Sequence, residues 1–208
     1  NRLCKILSSK KAKYLLITAP ENIAWILNIR GFDNPNSPIP NCRMLLTNRK
    51  KIYFFSEQEK TKKIIYSGKL KPHQVFQVNK LNEILDKLDR GNIIIDKLSC
   101  SIFYENIIKS KFNITSEIDP TYELKSIKNK TEIQGMIKSH ILDSVALTKF
   151  IYWIKNKNKK KITEIRAEKK LKEFRSLNKE YLYPSFNTIA GSGPNGAIVH
   201  YRATKKSN

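Results

Sequence analysis

Cysteine is scarce in this sequence, and acid is scarce relative to base. The three cysteines, Cys4, Cys42 and Cys100, lie far apart and form no C-x-x-C pair. That count and spacing exclude a disulfide framework and a zinc knuckle, and predict ordinary buried or half-buried thiols. No apolar run approaches the length of a membrane span; the longest are strand-sized. The N-terminus, NRLCKILSSKK, has a brief apolar patch but no secretory h-region and no small-residue cleavage site. There is no initiator Met at residue 1, so the natural start can lie elsewhere. These absences predict a soluble, cytoplasmic protein without a membrane partner.

The shortage of acid is the loudest feature. Against 40 Lys and Arg stand 18 Asp and Glu, a formal charge of +22 over 208 residues. Clustered basic side chains bind nucleic acid by releasing phosphate counterions. Here the bases are spread along the chain, and the densest runs, Lys10–Lys13 and Lys155–Lys161, have no interleaved aromatic platform for stacking bases. Lys, Asn and Ile abound throughout, as in a protein from an AT-rich genome. Nucleic acid is therefore not the expected partner, since charge alone speaks to solubility and steering.

With 40% hydrophobic residues the chain has enough apolar material for one large domain or two modest ones. Strand-like and helix-like segments alternate in the first part. YLLI at 14–17 reads as a strand, and Pro20 and Glu21 open a helix over ENIAWILN, with Thr18 as the expected cap. A Pro/Asn/Gly loop follows at RGFDNPNSPIPN. Strands are expected at 44–47, 52–55, 75–78 and 93–96, and helices at 81–88 and 102–109. Such alternation predicts an α/β layer with a covered sheet.

The texture changes near 122–130. From Thr131 the chain reads as one long amphipathic helix, with Ile133, Ile137, Ile141 and Val145 recurring every four residues. NKNKKK ends it, and Thr163 caps a second helix to about Leu177. Segments 185–190 and 197–201 then read as strands flanking a glycine turn. The boundary is expected at residues 125/126, giving domains 1–125 and 126–208.

That turn, Gly191-Ser-Gly193-Pro-Asn-Gly196, has the form G-x-G-x-x-G. A dinucleotide cradle requires a helix after it and an acid about 20 residues on. Strand-like residues follow instead, and the sequence given ends first, so the phosphate reading fails and no cofactor-binding residue is assigned. The glycines are expected to supply positive φ. His200 closes the segment and is the one histidine with a candidate role, because histidine as a residue type recurs in functional sites and this one ends the glycine segment. His73, after a Pro in a loop, and His140, expected near the buried edge of the long helix, read as structural.

The segment SFNTIAGSGPNGAIVHYRA resembles the first hairpin of the catalytic domain of Xaa-Pro aminopeptidases, the pita-bread metallopeptidases of family M24. KNKTEIQGMIKSHILDSVALTKFIYWI and TEIRAEKKLKEFR are similar to that domain's first two helices. ENIAWILNIRGFDNPNSP resembles the W-x-x-N-x-R-G-x-D signature of the creatinase-type domain before it. The fit is to the three-domain form. It implies an α/β creatinase-type domain with a mixed sheet and helices, followed by an incomplete α+β pita-bread domain of two helices plus a β-hairpin.

In that family two divalent ions, usually manganese, share a bridging water that attacks the carbonyl before a penultimate proline. Paired metals lower the pKa of the water and polarise the carbonyl. An Xaa-Pro bond has no N–H, so the ring itself must be recognised. The resemblance implies that His200 is no metal ligand but hydrogen-bonds the bound peptide, positioning it. The implied ligands, two Asp, one His and two Glu, would all follow the glycine segment, yet no acid follows Glu180. Asp96, Asp119, Glu123, Asp143 and Glu164 are scattered, without ligand spacing, so no metal ligand is assigned. Asp143 is expected to cap or to form a salt bridge. Trp25, Asn28, Arg30, Gly31 and Asp33 are expected to form a packing and turn unit, with Gly31 for the bend and Arg30 and Asp33 close enough to pair.

The expectation is a fragment of a peptidase acting on proline-containing peptides, inactive by itself, cytoplasmic, with homodimerisation open for the complete protein. The rivals are a non-catalytic pita-bread binding module for protein or nucleic acid, and a decayed remnant.

Overall fold

The computed structural model describes residues 1–157 and 162–206. They fall into two compact units, Asn1–Ile127 and Lys128–Asn208.

The first unit is built on a six-stranded mixed sheet. Its strands are β1 (Tyr14–Ile17), β2 (Arg43–Thr47), β3 (Ile52–Phe55), β4 (Val75–Phe76), β5 (Asn92–Ile95) and β6 (Asn113–Ser116). The order across the sheet is β4-β3-β2-β1-β5-β6. β1 runs antiparallel to β2, pairing Tyr14 with Thr47 and Ile17 with Met44, and parallel to β5, pairing Tyr14 with Ile93. β3 lies antiparallel to β2, while β4 and β6 extend the two sides in parallel pairing.

The central strands carry consecutive apolar residues, Tyr14–Ile17, Met44–Leu46 and Ile93–Ile95, because both faces are covered. Leu15, Ile17, Met44, Leu46, Phe54 and Ile94 pack on one face with Leu3 and Leu7 of α1 (Arg2–Ser9) and Ile23 and Ala24 of α2 (Pro20–Leu27). Tyr14, Leu16, Leu45, Phe55, Ile93 and Ile95 pack on the other face. Their partners are Leu81, Ile84 and Leu85 of α4 (Leu81–Asp86) and Ile108 of α5 (Ile102–Lys109). Between β3 and β4 runs α3 (Gln58–Tyr66), and α6 (Thr121–Ser126) closes the unit. This is the expected α/β layer, enlarged by α1, β6 and α6, which the sequence reading left unassigned.

The expected strand at 75–78 stops at Phe76, and Val78–Lys80 turns into a 3₁₀ helix. α2 starts at Pro20, but its N-cap is Ala19 without a side-chain bond. Thr18 is buried and its hydroxyl meets that of Ser99 at 3.1 Å, which removes it from capping. All three cysteines are buried free thiols.

In the second unit α7 (Lys130–Asn156) opens with a reciprocal capping box: Asn129 Oδ1 accepts from the Glu132 N–H, and Glu132 Oε2 accepts from the Asn129 N–H. Thr163 caps α8 (Glu164–Ser176) by accepting from the Arg166 N–H at 3.2 Å. The two helices run antiparallel, joined by a bidentate Arg175–Asp143 pair at 2.6 and 3.0 Å and by Arg166 over the Trp153 ring. Asp143 is thus a salt-bridge partner. The stripe Ile133, Ile137, Ile141, Val145 is exposed by about half, and Ala146 is the buried α7 side chain. His140, expected near a buried edge, is exposed and bonds the Met136 carbonyl of its own helix. The basic run that ends α7 extends into 158–161, outside the described residues.

Candidate functional site

α8 begins where the Thr163 cap fixes the chain, which sets Glu164 in the first helical turn. There the Glu164 carboxylate, 7% exposed, receives the glycine segment. Its Oε1 accepts from the Ser192 backbone N–H at 2.6 Å and from Asn195 Nδ2 at 3.1 Å. Its Oε2 accepts from the Tyr201 hydroxyl at 2.5 Å, and Asn195 Nδ2 also donates to the Tyr201 oxygen at 2.9 Å. The Tyr201 hydroxyl, chiefly, holds the Glu164 carboxyl below the usual carboxylate range. Burial opposes this, and the Ser192 N–H and Asn195 amide add to the lowering.

The β-hairpin expected here is not formed. Among the described residues of this unit there is no strand; Gly193–Ala197 is a 3₁₀ turn. A lone two-stranded ribbon is marginal without a third strand or a packed face. Here the Ser192 N–H goes to Glu164, and the Asn195, Ile198 and Tyr201 N–H groups close local turns on the Ser192, Asn195 and Ile198 carbonyls instead of a ladder. The glycines also divide their work. Gly193 takes positive φ (+56°), whereas a Cβ on Gly191 would meet the Asn195 carbonyl oxygen at 2.8 Å.

His200 sits at the exposed tip of the next turn, closed by the Tyr201 N–H donating to the Ile198 carbonyl at 3.3 Å. Its φ of +55° is the left-handed region, as at the third position of a type II turn. Beside this segment lies a cleft of about 510 Å³, bordered by Phe150, Ile154, Leu171 and Ile189, with Glu164 in its wall. The sequence reading counted Glu164 only among scattered acids. Nothing in its spacing announces the loop that folds onto it.

The remaining candidates stay apart. In the first unit Asp96 and Asp119 are buried at the C-terminal side of β5 and β6. The Asp119 N–H donates to Asp96 Oδ2 at 3.2 Å, and Asn22 Nδ2 donates to Asp119 Oδ2 at 2.7 Å. Glu123 is exposed on α6. In the signature segment, Asn28 ends α2 with φ +47°, and the Gly31 N–H donates to the Pro38 carbonyl. The expected Arg30–Asp33 pair is not formed. Arg30 turns back to the Ile29 carbonyl, and Asp33 takes Lys60 at 2.7 Å, because the loop folds toward α3.

Among the described residues no three His, Cys, Asp or Glu side chains converge as metal ligands. Glu164, the carboxylate anchoring the histidine segment, is surrounded by hydrogen-bond donors. The residues present therefore do not fit a dinuclear centre. No described helix is long and apolar enough to cross a membrane.

Residues 1–132 match the Creatinase/Prolidase N-terminal domain model, and residues 134–207 match Metallopeptidase family M24. The chain is 33% identical to Xaa-Pro aminopeptidase ApepP of Drosophila melanogaster, over 97% of this chain and 34% of that protein. To a probable Xaa-Pro aminopeptidase P of Coccidioides posadasii it is 32% identical, over 98% of this chain and 35% of the relative. It therefore spans about a third of the length of these curated relatives. Among solved structures, the X-prolyl aminopeptidase of Caenorhabditis elegans, a cytosolic enzyme with a di-nuclear active site, matches with a TM-score of 0.84 and 25% identity. That match covers 99% of this chain and 35% of the other. An X-Pro aminopeptidase from Thermotoga maritima, at 14% identity and a TM-score of 0.61, shares the fold over 85% of this chain and 48% of that one.

Proposed function

The chain belongs to the creatinase/prolidase N-terminal domain family and continues into a metallopeptidase M24 domain, and on that premise we propose that it is part of an Xaa-Pro aminopeptidase. The complete protein removes the N-terminal residue from peptides with proline second. Residues 1–125 form its second creatinase-like domain, and residues 126–208 form the N-terminal part of its catalytic domain. The observation that carries this reading is continuity: similarity to X-prolyl aminopeptidases runs through 97–99% of the chain, across both units.

Within this reading His200 is the residue of this chain that meets the peptide. It is exposed on a left-handed turn, and an imidazole N–H there can donate to a peptide carbonyl. The two divalent ions, which we assign as manganese, supply Lewis-acid chemistry. Their ligands belong to the part of the relatives' length that this chain does not span. Residues 1–208 alone are consequently inactive. The complete protein works in the cytoplasm.

The experiment is to express the full reading frame containing these residues beside the 208-residue chain and assay both on an Ala-Pro-containing tripeptide with manganese. Release of the N-terminal residue by the full protein alone is the expected result. Turnover by the 208-residue chain, or none by the full protein, would sink the proposal.

A further inference from the structure

We propose that Glu164 is a positioning residue for His200, fixing both ends of the segment that holds His200 in its left-handed turn. The inference rests on the reading above, in which His200 meets the peptide.

Burial does not hold this segment. Ile198 is 53% and Val199 82% exposed, and Tyr201 is its buried side chain. What fixes it is polar. Two turns follow one another: the Ile198 N–H donates to the Asn195 carbonyl at 3.2 Å, and the Tyr201 N–H donates to the Ile198 carbonyl at 3.3 Å. Asn195 at the start and Tyr201 at the end both reach the Glu164 carboxylate, and Tyr201 lies 37 positions from it in sequence. His200 lies inside that clamp, next to the Tyr201 anchor. A non-glycine residue keeps positive φ only where its surroundings over-determine it.

The chemistry of the anchor is specific to an anion. A carboxylate offers two oxygens with about four lone-pair sites, enough for the Ser192, Asn195 and Tyr201 donors. Glutamine would offer one acceptor oxygen and turn an NH₂ toward another donor. The lowered pKa of Glu164 agrees with a carboxylate that stays charged under this load. Gly191 belongs to the same arrangement, since its missing Cβ is what lets the Asn195 carbonyl approach.

The test uses the 208-residue chain, amide hydrogen exchange and the His200 imidazole NMR signals. In Glu164→Gln we expect protection of the Ser192 amide to fall by about tenfold or more while Ala146 on α7 keeps its protection. The His200 ring signals should move or broaden. The double variant Glu164→Gln/Asn195→Asp places the carboxylate on the other side of the same contact and should restore both readouts. Unchanged Ser192 protection and His200 signals in Glu164→Gln would overturn the proposal. If that variant loosens α8 as a whole, Tyr201→Phe, which removes a single hydroxyl, decides: a displaced His200 signal supports the anchor, an unmoved one refutes it. None of these readouts involves hydrolysis. Their failure leaves the peptidase reading standing, whereas a full-length protein inactive on Xaa-Pro peptides removes that reading and leaves the exchange result as it is.

Discussion

Lys60 on α3 holds the Asp33 carboxylate at 2.7 Å, and the Asn41 backbone N–H donates to its other oxygen at 2.6 Å. The Pro/Asn loop after α2 is thereby tied to a helix that the sequence places well beyond it. Arg30, three residues from Asp33, takes no part in the contact.

The tie is pH-dependent. The Lys60 hydrogen bond, chiefly, lowers the Asp33 pKa from its usual 3.8. A carboxyl with a depressed folded pKa contributes stability that is complete above its unfolded value and lost as the pH falls through the folded one. Asp33 in turn raises the Lys60 pKa from 10.5, so that contribution is complete below that value and fades as the pH rises beyond it. Asp33→Asn should cost about 1–2 kcal/mol near neutrality. Urea unfolding should show the full difference between wild type and variant above about pH 4, and the two should converge only as the pH falls below that, through the depressed Asp33 value. A difference that persists in acid would assign the effect to packing.

The buried thiols should be inert. Burial pushes Cys42 up to about 12 and Cys100 up to about 11, leaving almost no thiolate near neutrality. Iodoacetamide at about pH 8 should modify neither until guanidinium unfolds the chain. Mass spectrometry with and without denaturant reads this directly, and rapid native labelling of Cys42 would contradict its placement in the core.

Asn22 is fully buried and serves two charged groups, donating to Asp119 and accepting from Lys125 at 2.5 Å. Asn22→Ala would strip a partner from the buried Asp119 carboxylate. A loss of about 2–3 kcal/mol is expected in urea unfolding of the first unit. A loss below about 1 kcal/mol would mean that water reaches the carboxylate.

Gly191→Ala would bring a Cβ within 3.0 Å of Asn195 and Gly196 backbone atoms. Backbone cannot yield as a flexible side chain can, so the Asn195–Glu164 contact should open at a cost of about 1–3 kcal/mol. Faster Ser192 amide exchange is the readout, with the sheet of the first unit as internal control. Unaltered exchange would mean that the loop relaxes without strain.

Much of the first unit was legible before folding. β1, β3 and β5 are short apolar runs bounded by turn residues, and α2 starts at Pro20, as its local sequence suggests. α1 was missed because Leu3, Cys4 and Leu7 make too short an apolar stripe to stand out. β6 was missed because Asn113–Ser116 is half polar, being the outermost strand on its side of the sheet. The expected hairpin after Ala190 failed for a different reason. Alternation suggested strands there, but the backbone N–H groups of 195, 198 and 201 close successive local turns instead of a ladder.

By itself the sequence determined where apolar runs lie and that Thr163 caps α8, hence the α/β layer, the two long helices and the candidacy of His200. Those features depend on neighbours within a turn or two. Only the tertiary structure decided that Asp33 takes Lys60 instead of Arg30, that Asp119 meets Asp96 and Asn22, and that Glu164 gathers Ser192, Asn195 and Tyr201. Polar partners are chosen by burial and by which donors arrive unsatisfied at one place, and no spacing along the chain encodes that meeting.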